Sequence, residues 1–417
     1  MEARGDALED LVINCRFCGA RLGHVFVDLG AQPLANSYLE PEHLRRPEPF
    51  YPLCVYVCGE CFLVQLPEEE RPDAIFSDYA YFSSYSESWL RHARLYAEAM
   101  IERFGLGSEH RVIEIASNDG YLLRWFKDRG IPVLGIEPAR NVAEAAEAAG
   151  VPTQVCFFGT ETAHELSAKA DLLVGNNVLA HVPDLNDFVN GLKIALAPRG
   201  VLTMEFPHLL RLMNEDQFDT IYHEHYSYFS FLTARKVFAA HGLTVFDVEE
   251  LPTHGGSLRI YARHQEDDSK PVEPRVIELL AREEASGLGN LDAYRSFAQR
   301  VGRVKRGLLR FLIQAKEDGK TVVGYGAPAK GNTLLNYCGV RTDFLDYTVD
   351  LSPHKQGRYL PGTRIPIFAP DRIRETRPDY VLILPWNLKE EITAQMANVR
   401  TWGGRFVVAI PEVRVFE

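Results

Sequence analysis

The chain has 417 residues, enough for two or three domains with sizeable cores. Its apolar fraction of 46% and charged fraction of 24% are those of a globular protein. A formal net charge of −12 argues against nucleic acid or an anionic membrane as partner, while leaving room for a local basic pocket for one anionic ligand. The first ten residues lack the apolar core of a signal peptide, and no apolar run approaches membrane-spanning length. The expected compartment is the cytoplasm, so the seven cysteines read as thiols or metal ligands and not as disulfides.

Cys15-x-x-Cys18 and Cys58-x-x-Cys61 form two knuckles separated by 39 residues. Two thiolate pairs suit a closed, tetrahedral zinc site that staples a region with little core of its own. A redox role needs only one such pair. With no open coordination position the zinc is expected to be structural. The proline-bearing stretch from His24 to Tyr51 reads as a long loop excursed between the knuckles, and Cys54 as a residue packed beside the site.

Tyr79 to Trp89 is dense in aromatic and hydroxyl side chains and leads into a helix over Leu90–Phe104. It reads as a packed interdomain segment that also covers a ligand. From His110 to about His264 the pattern alternates strands with amphipathic helices. Strands are expected at 111–116, 132–137, 171–175 and 200–206, with a late pair at 243–249 and 257–263. The helices fall near 122–129, 139–149, 184–196 and 233–241. A parallel sheet closed by a terminal hairpin is an α/β layout with its ligand at the carboxyl edge.

Val112-Ile-Glu-Ile-Ala-Ser-Asn-Asp-Gly-Tyr121 is strand, tight turn and helix start. No G-x-G-x-x-G is present, so it is not a dinucleotide fingerprint. Glu114-x-Ala116-x-Asn118-x-Gly120 instead resembles the first motif of class I S-adenosylmethionine (SAM) methyltransferases, with Ala116 and Asn118 where two glycines would stand. Asn tolerates the left-handed backbone that such a turn demands. On the loop alone, an ordinary βα turn is an equal reading. The acid Glu137, ending the next strand where a ribose would lie, and Asn176-Asn177, ending the later one, tip it toward SAM. Ala116, Ser117, Asn118, Gly120, Glu137 and Asn177 are the expected cofactor contacts.

Beyond the strand Val201–Phe206 come Pro207-His208 and then Tyr222-His-Glu-His-Tyr-Ser-Tyr-Phe-Ser230, at the edge where an acceptor would lie over the cofactor. His223-x-His225 is a weak metal signal without a third ligand. A histidine titrating near neutrality is a natural general base. After His264 a charged linker leads to a helical region from Val272 to about Ala315. Thr321–Thr333 then repeats the strand–loop–helix logic as a second α/β unit. Its glycines, Lys330, Asn332 and a helix N-terminus make a diphosphate seat, with His354, Lys355 and Arg358 adding donors at the same edge. Strands at 347–350, 380–384 and 405–409 complete that sheet.

These pieces stand in the order found in the C-methyltransferases of deoxysugar biosynthesis: the Cys-x-x-Cys pairs, Tyr81-Phe-Ser-Ser-Tyr-Ser86, Glu114–Gly120, Tyr222-His-Glu-His-Tyr226, His254-Gly-Gly-Ser-Leu-Arg259 and Gly324–Asn332. The chain resembles 3-C-methyltransferases that act on dTDP-linked 4-keto-deoxysugars of the tetronitrose type, over its whole length. The resemblance implies a zinc module at 1–70, a SAM-binding domain at 71–265 and a Rossmann-like nucleotide-sugar domain at 266–417. It implies His225 as the base with Tyr222 assisting, a structural zinc, and a dTDP-ketosugar partner. Glu224 and His223 would orient the pair, and His181 and Asn177 would line the sugar pocket. Methylation at carbon 5, O- or N-methylation of another small molecule, and a zinc-stapled binding module with a vestigial SAM site are the alternatives. A monomer is expected, since two α/β domains in one chain can enclose the substrate.

Overall fold

The computed structural model describes residues 13–70, 83–85 and 87–417. Most of the Tyr79–Trp89 stretch read as a ligand cover therefore lies outside the described residues. Strands β1 (His24–Gln32), β2 (Tyr51–Val57) and β3 (Val64–Gln65) form an antiparallel sheet beside the two cysteine knuckles. The stretch from His24 is thus not all loop: β1 pairs with β2 along its length, from His24 opposite Val57 to Gln32 opposite Tyr51. Cys54 sits in β2 opposite Asp28 and is not part of the cysteine cluster.

The middle sheet begins with β4 (Val112–Ile115), β5 (Val133–Ile136), β6 (Thr153–Gln154), β7 (Ala170–Asn176) and β8 (Leu196–Pro207). The short β9 (Ser227–Tyr228) leaves this sheet and pairs with β3, so the N-terminal sheet is completed by a strand 160 residues onward. β10 (Leu243–Leu251) and β11 (Ser257–His264) close the middle sheet as an antiparallel pair. Its order, β10-β11-β8-β7-β4-β5-β6, reverses direction between β4 and β7. Ligands of open α/β sheets lie at such a switch point. β4 is buried on both faces, as its apolar composition and central place require.

The helical region after the linker is three helices, Pro274–Ala285, Leu291–Arg295 and Phe297–Glu317. Gly287, at φ 83, and the Asn290 cap break it where one run was expected. The last sheet holds β12 (Val322–Tyr325), β13 (Thr348–Val349), β14 (Ile367–Phe368), β15 (Tyr380–Ile383), β16 (Arg405–Val408) and β17 (Arg414–Phe416), in the order β14-β13-β12-β15-β16-β17. All its pairings are parallel except β16 with β17. Leu53, Val55 and Val64 of the first sheet share one apolar cluster with Leu382 of the last sheet and with Leu308 and Leu335 on helices of the C-terminal domain. Each such buried side chain stabilises by about 1.5–3 kcal/mol. The N-terminal module therefore borrows its core from the C-terminal domain.

Candidate active site

A cleft of about 850 Å³ opens where the carboxyl ends of β4 and β7 meet the N-terminal and C-terminal sheets. The turn after β4 supplies its first wall. Ala116 (φ 56), Asn118 (φ 50) and Gly120 (φ 74) all take the left-handed backbone, so the two substituted positions carry the conformation that glycine would adopt freely. Glu137, at the end of β5, accepts the Asn118 N–H (2.9 Å) and the Ala139 N–H (2.9 Å), one on each carboxylate oxygen. That leaves each oxygen lone-pair capacity toward the cleft. Ser83 docks on the turn by donating its N–H to Asn118 Oδ1 at 2.9 Å.

The second wall is the segment after β8. His225 is buried, and its Nδ1 lies 2.8 Å from the Thr220 carbonyl oxygen. A carbonyl can only accept, so the ring proton sits on Nδ1 and Nε2 keeps its lone pair. The Tyr222 ring centroid lies 4.0 Å from that of His225, and His181 stands edge-on at 4.7 Å. Burial, helped by the Lys330 charge, pushes the His225 pKa well below the usual histidine value, which keeps the imidazole neutral. His181 is pushed down to about 4, chiefly by burial. Glu224 accepts the Asn36 side-chain amide at 2.6 Å, so the N-terminal module reaches the segment that carries His225. His223 faces Pro52 O at 3.1 Å instead of the cleft.

The third wall is the N-terminus of helix Ala329–Cys338, with Pro328, Ala329 and Lys330 lining the cleft. Lys330 Nζ donates to Asn387 Oδ1 (2.8 Å) and lies 4.7 Å from the Trp386 ring centroid. Lys355 Nζ and Tyr38 Oη both donate to Ala327 O, at 2.9 and 2.6 Å. Of the expected donors, Lys330 and Lys355 border the cleft. Asn332, His354 and Arg358 do not. Asn332 is buried and spends its amide on Ala35 O at 2.6 Å, while Arg358 pairs with Glu40 at 2.8 Å. Ser117 and Gly120 support the turn from beneath instead of lining the cleft, whereas Ala116, Asn118, Glu137, Asn177, His181, Tyr222, Glu224 and His225 do line it. The sequence reading missed Asn36, Tyr38, Tyr121 and His254, whereas Trp89 ends the Tyr79–Trp89 stretch expected to cover a ligand. Only His254, preceding two glycines, carried a local signal.

The chain is 39% identical over 405 residues, 96% of each protein, to the C-methyltransferase NovU of Streptomyces niveus. It belongs to that C-methyltransferase family. Residues 89–248 match a family described as a methyltransferase domain and 252–411 one described as a C-methyltransferase C-terminal domain. Residues 15–76 match one described as a zinc binding domain. Solved structures resemble the chain more distantly. The PH0226 protein of Pyrococcus horikoshii OT3 is 14% identical, over 44% of this chain and 94% of that one, at a TM-score of 0.37. The magnesium protoporphyrin IX methyltransferase ChlM of Synechocystis PCC 6803 with bound SAM is 13% identical, over 42% and 78%, at 0.33. At such scores they bear no weight on the site.

The protein is thus a SAM-dependent C-methyltransferase, and its cleft fits the cofactor. Asn176 Oδ1 and Asn177 Oδ1, where β7 ends, are buried acceptors without a partner among the described residues. Acceptors of that kind suit the ammonium and hydroxyl donors of SAM. The four cysteines Cys15, Cys18, Cys58 and Cys61 hold their sulfur atoms within 4.8 Å of one another. Thiolates about 2.3 Å from one zinc ion stand about 3.8 Å apart. The Cys15–Cys61 and Cys18–Cys58 sulfur pairs lie at 3.5 Å, and Gln65 Nε2 donates to Cys15 Sγ at 3.1 Å, as a thiolate would accept. This is the zinc site. No helix among the described residues is long and apolar enough to cross a membrane.

Proposed function

We propose that the enzyme methylates carbon 3 of a dTDP-linked 4-keto-deoxysugar, acting as a cytoplasmic monomer. Residues 1–70 form the zinc module, 71–265 seat the cofactor and 266–417 grip the nucleotide. The observation that carries this reading is the fixed tautomer of His225, with Nδ1 bound to Thr220 O and Nε2 left basic inside the cleft. Bound SAM supplies a sulfonium methyl, an electrophile that carbon attacks only after losing a proton.

A ketone at carbon 4 acidifies the neighbouring C–H, and His225 takes that proton as general base. Tyr222, its ring tilted against that of His225, donates a hydrogen bond to the developing oxyanion. Deleting comparable donors in other enzymes costs about 2.7–4 kcal/mol. Glu224, held by Asn36, orients the segment, and His181 borders the sugar. The neutral state of His225 needs no activation by metal, so zinc stays structural. Lys330, Lys355 and the N-terminus of helix Ala329–Cys338 seat the diphosphate.

The test is proton exchange in D₂O with a dTDP-4-keto-deoxysugar and S-adenosylhomocysteine, in wild type and in His225→Asn. Deuterium at carbon 3 in wild type and none in the variant is the expected result. Exchange at carbon 5 instead would move the methylated carbon and keep the base. A bound ketosugar that neither exchanges nor turns over with SAM would sink the substrate assignment.

A further inference from the structure

We infer that His254 is a ligand-contacting residue of the acceptor site, donating a ring N–H to an oxygen of the ketosugar, an inference that rests on the substrate class proposed above. His254 sits in the turn between β10 and β11, and its side chain borders the same cleft as His225 and Lys330. Its backbone is left-handed, φ 55 and ψ 17, a conformation that glycine adopts freely and that histidine takes more readily than most residues but at some cost.

The turn around it is built to hold that conformation. Gly255 (φ 93) and Gly256 (φ 119) follow it, and a Cβ at either would meet Trp386 at 2.5 Å or Arg211 at 2.9 Å. Thr253 Oγ1 donates to buried Glu205 Oε1 at 3.0 Å, and Gln217 Nε2 donates to Gly255 O at 2.8 Å. Glu205 is itself fixed by Arg259 (3.0 Å) and His92 (3.1 Å). A turn needing only its shape would do better with a third glycine at 254. The imidazole is retained where the backbone opposes it, and strain of that kind marks functional positions.

Where the ring points identifies its ligand. Asn177 Nδ2 lies 3.4 Å from His254 Nε2, and Trp89 meets the ring edge-on at 5.2 Å. An amide N–H donated to Nε2 places the ring proton on Nδ1, for which the described residues offer no acceptor. The enclosing walls and the Lys330 charge push its pKa down to about 4, so at neutral pH it is a neutral donor. The turn Ala116–Gly120 follows β4, whereas the Lys330 charge reaches the His254 ring and Trp386 stands against the adjoining Gly255, so the His254 turn faces the C-terminal domain as well as Asn177. A nucleotide-linked sugar held by Lys330 meets the ring from that side.

The test compares His254→Gly and His254→Asn with wild type in thermal midpoint, S-adenosylhomocysteine affinity, kcat, KM and D₂O exchange. Glycine relieves the backbone, so its midpoint should equal or exceed that of wild type. Its kcat/KM for the ketosugar should fall at least tenfold, with cofactor affinity within threefold. Asn, which keeps a donor and tolerates the left-handed backbone, should recover part of the loss. Ketosugar kcat/KM within threefold of wild type in the glycine variant would overturn the inference. So would an equal loss of cofactor affinity, which would make His254 a cofactor residue. If wild type itself fails to exchange or methylate the ketosugar, the substrate reading fails first.

Discussion

At the scale of single residues, the cofactor turn shows how a sequence motif translates into backbone energy. Ala116 and Asn118 occupy left-handed positions that favour glycine, and a left-handed L-residue costs about 1–2 kcal/mol. Ala116→Gly should therefore raise unfolding stability by about 1 kcal/mol, less the entropy glycine adds to the unfolded chain. Gly120→Ala should do the reverse and more. Its φ is 74, and a Cβ there would lie 3.0 Å from Val151 Cγ2. Denaturant midpoints for the two variants check both signs; a destabilised Ala116→Gly would show that Ala116 is held by contacts and not strained. This much was legible, because a turn's dihedral demands are written in adjacent residues. Asn36 and Tyr38 were not legible as cleft residues, since chain segments far apart in sequence bring them there.

Among elements, the pairing of β3 with β9 changes what the zinc does. β9 begins two residues after His225, and Leu66 N donates to Tyr226 O at 3.0 Å. Arg16, inside the first knuckle, donates to Pro183 O at 2.7 Å and to Leu66 O, and it covers the Tyr226 ring at 5.4 Å. The knuckle is thus tied to the residues that directly follow His225. The metal was readable from cysteine spacing. Its link to the base was not, because a two-residue strand such as Ser227-Tyr228 has no periodicity of its own. Zinc binding is folding free energy. Chelation, or Cys58→Ser, should lower the thermal midpoint by roughly 10 °C or more, given about 2–4 °C per kcal/mol at this size. It should also slow ketosugar exchange more than it weakens S-adenosylhomocysteine binding, because the hydrogen bonds from the knuckle run to the Tyr226 side and not to the Ala116–Gly120 turn. Equal losses in both would show that the module supports the fold without aiming the base.

Over the whole molecule, one apolar cluster joins the first sheet to the last, and one cleft collects side chains from segments that adjoin all three sheets. His225, the proposed base, therefore feels a charge carried by the C-terminal domain. Lys330 is among the groups that depress His225, and burial lowers its own pKa against the pull of Asp219. With a positive neighbour the protonated imidazole is disfavoured, so His225 stays neutral, and competent as a base, at pH values below the usual histidine range. The acid limb of kcat/KM should accordingly lie below about 6.5. Lys330→Met removes that neighbour, so the His225 pKa should rise and the acid limb should move to higher pH. The same variant loses the cation assigned to the diphosphate and should bind dTDP at least tenfold more weakly, with S-adenosylhomocysteine affinity unchanged. A shifted acid limb with undiminished dTDP affinity would keep Lys330 as a neighbour of the base and place the diphosphate elsewhere. Weakened dTDP binding with an unmoved limb would mean that the C-terminal domain holds the nucleotide without tuning His225.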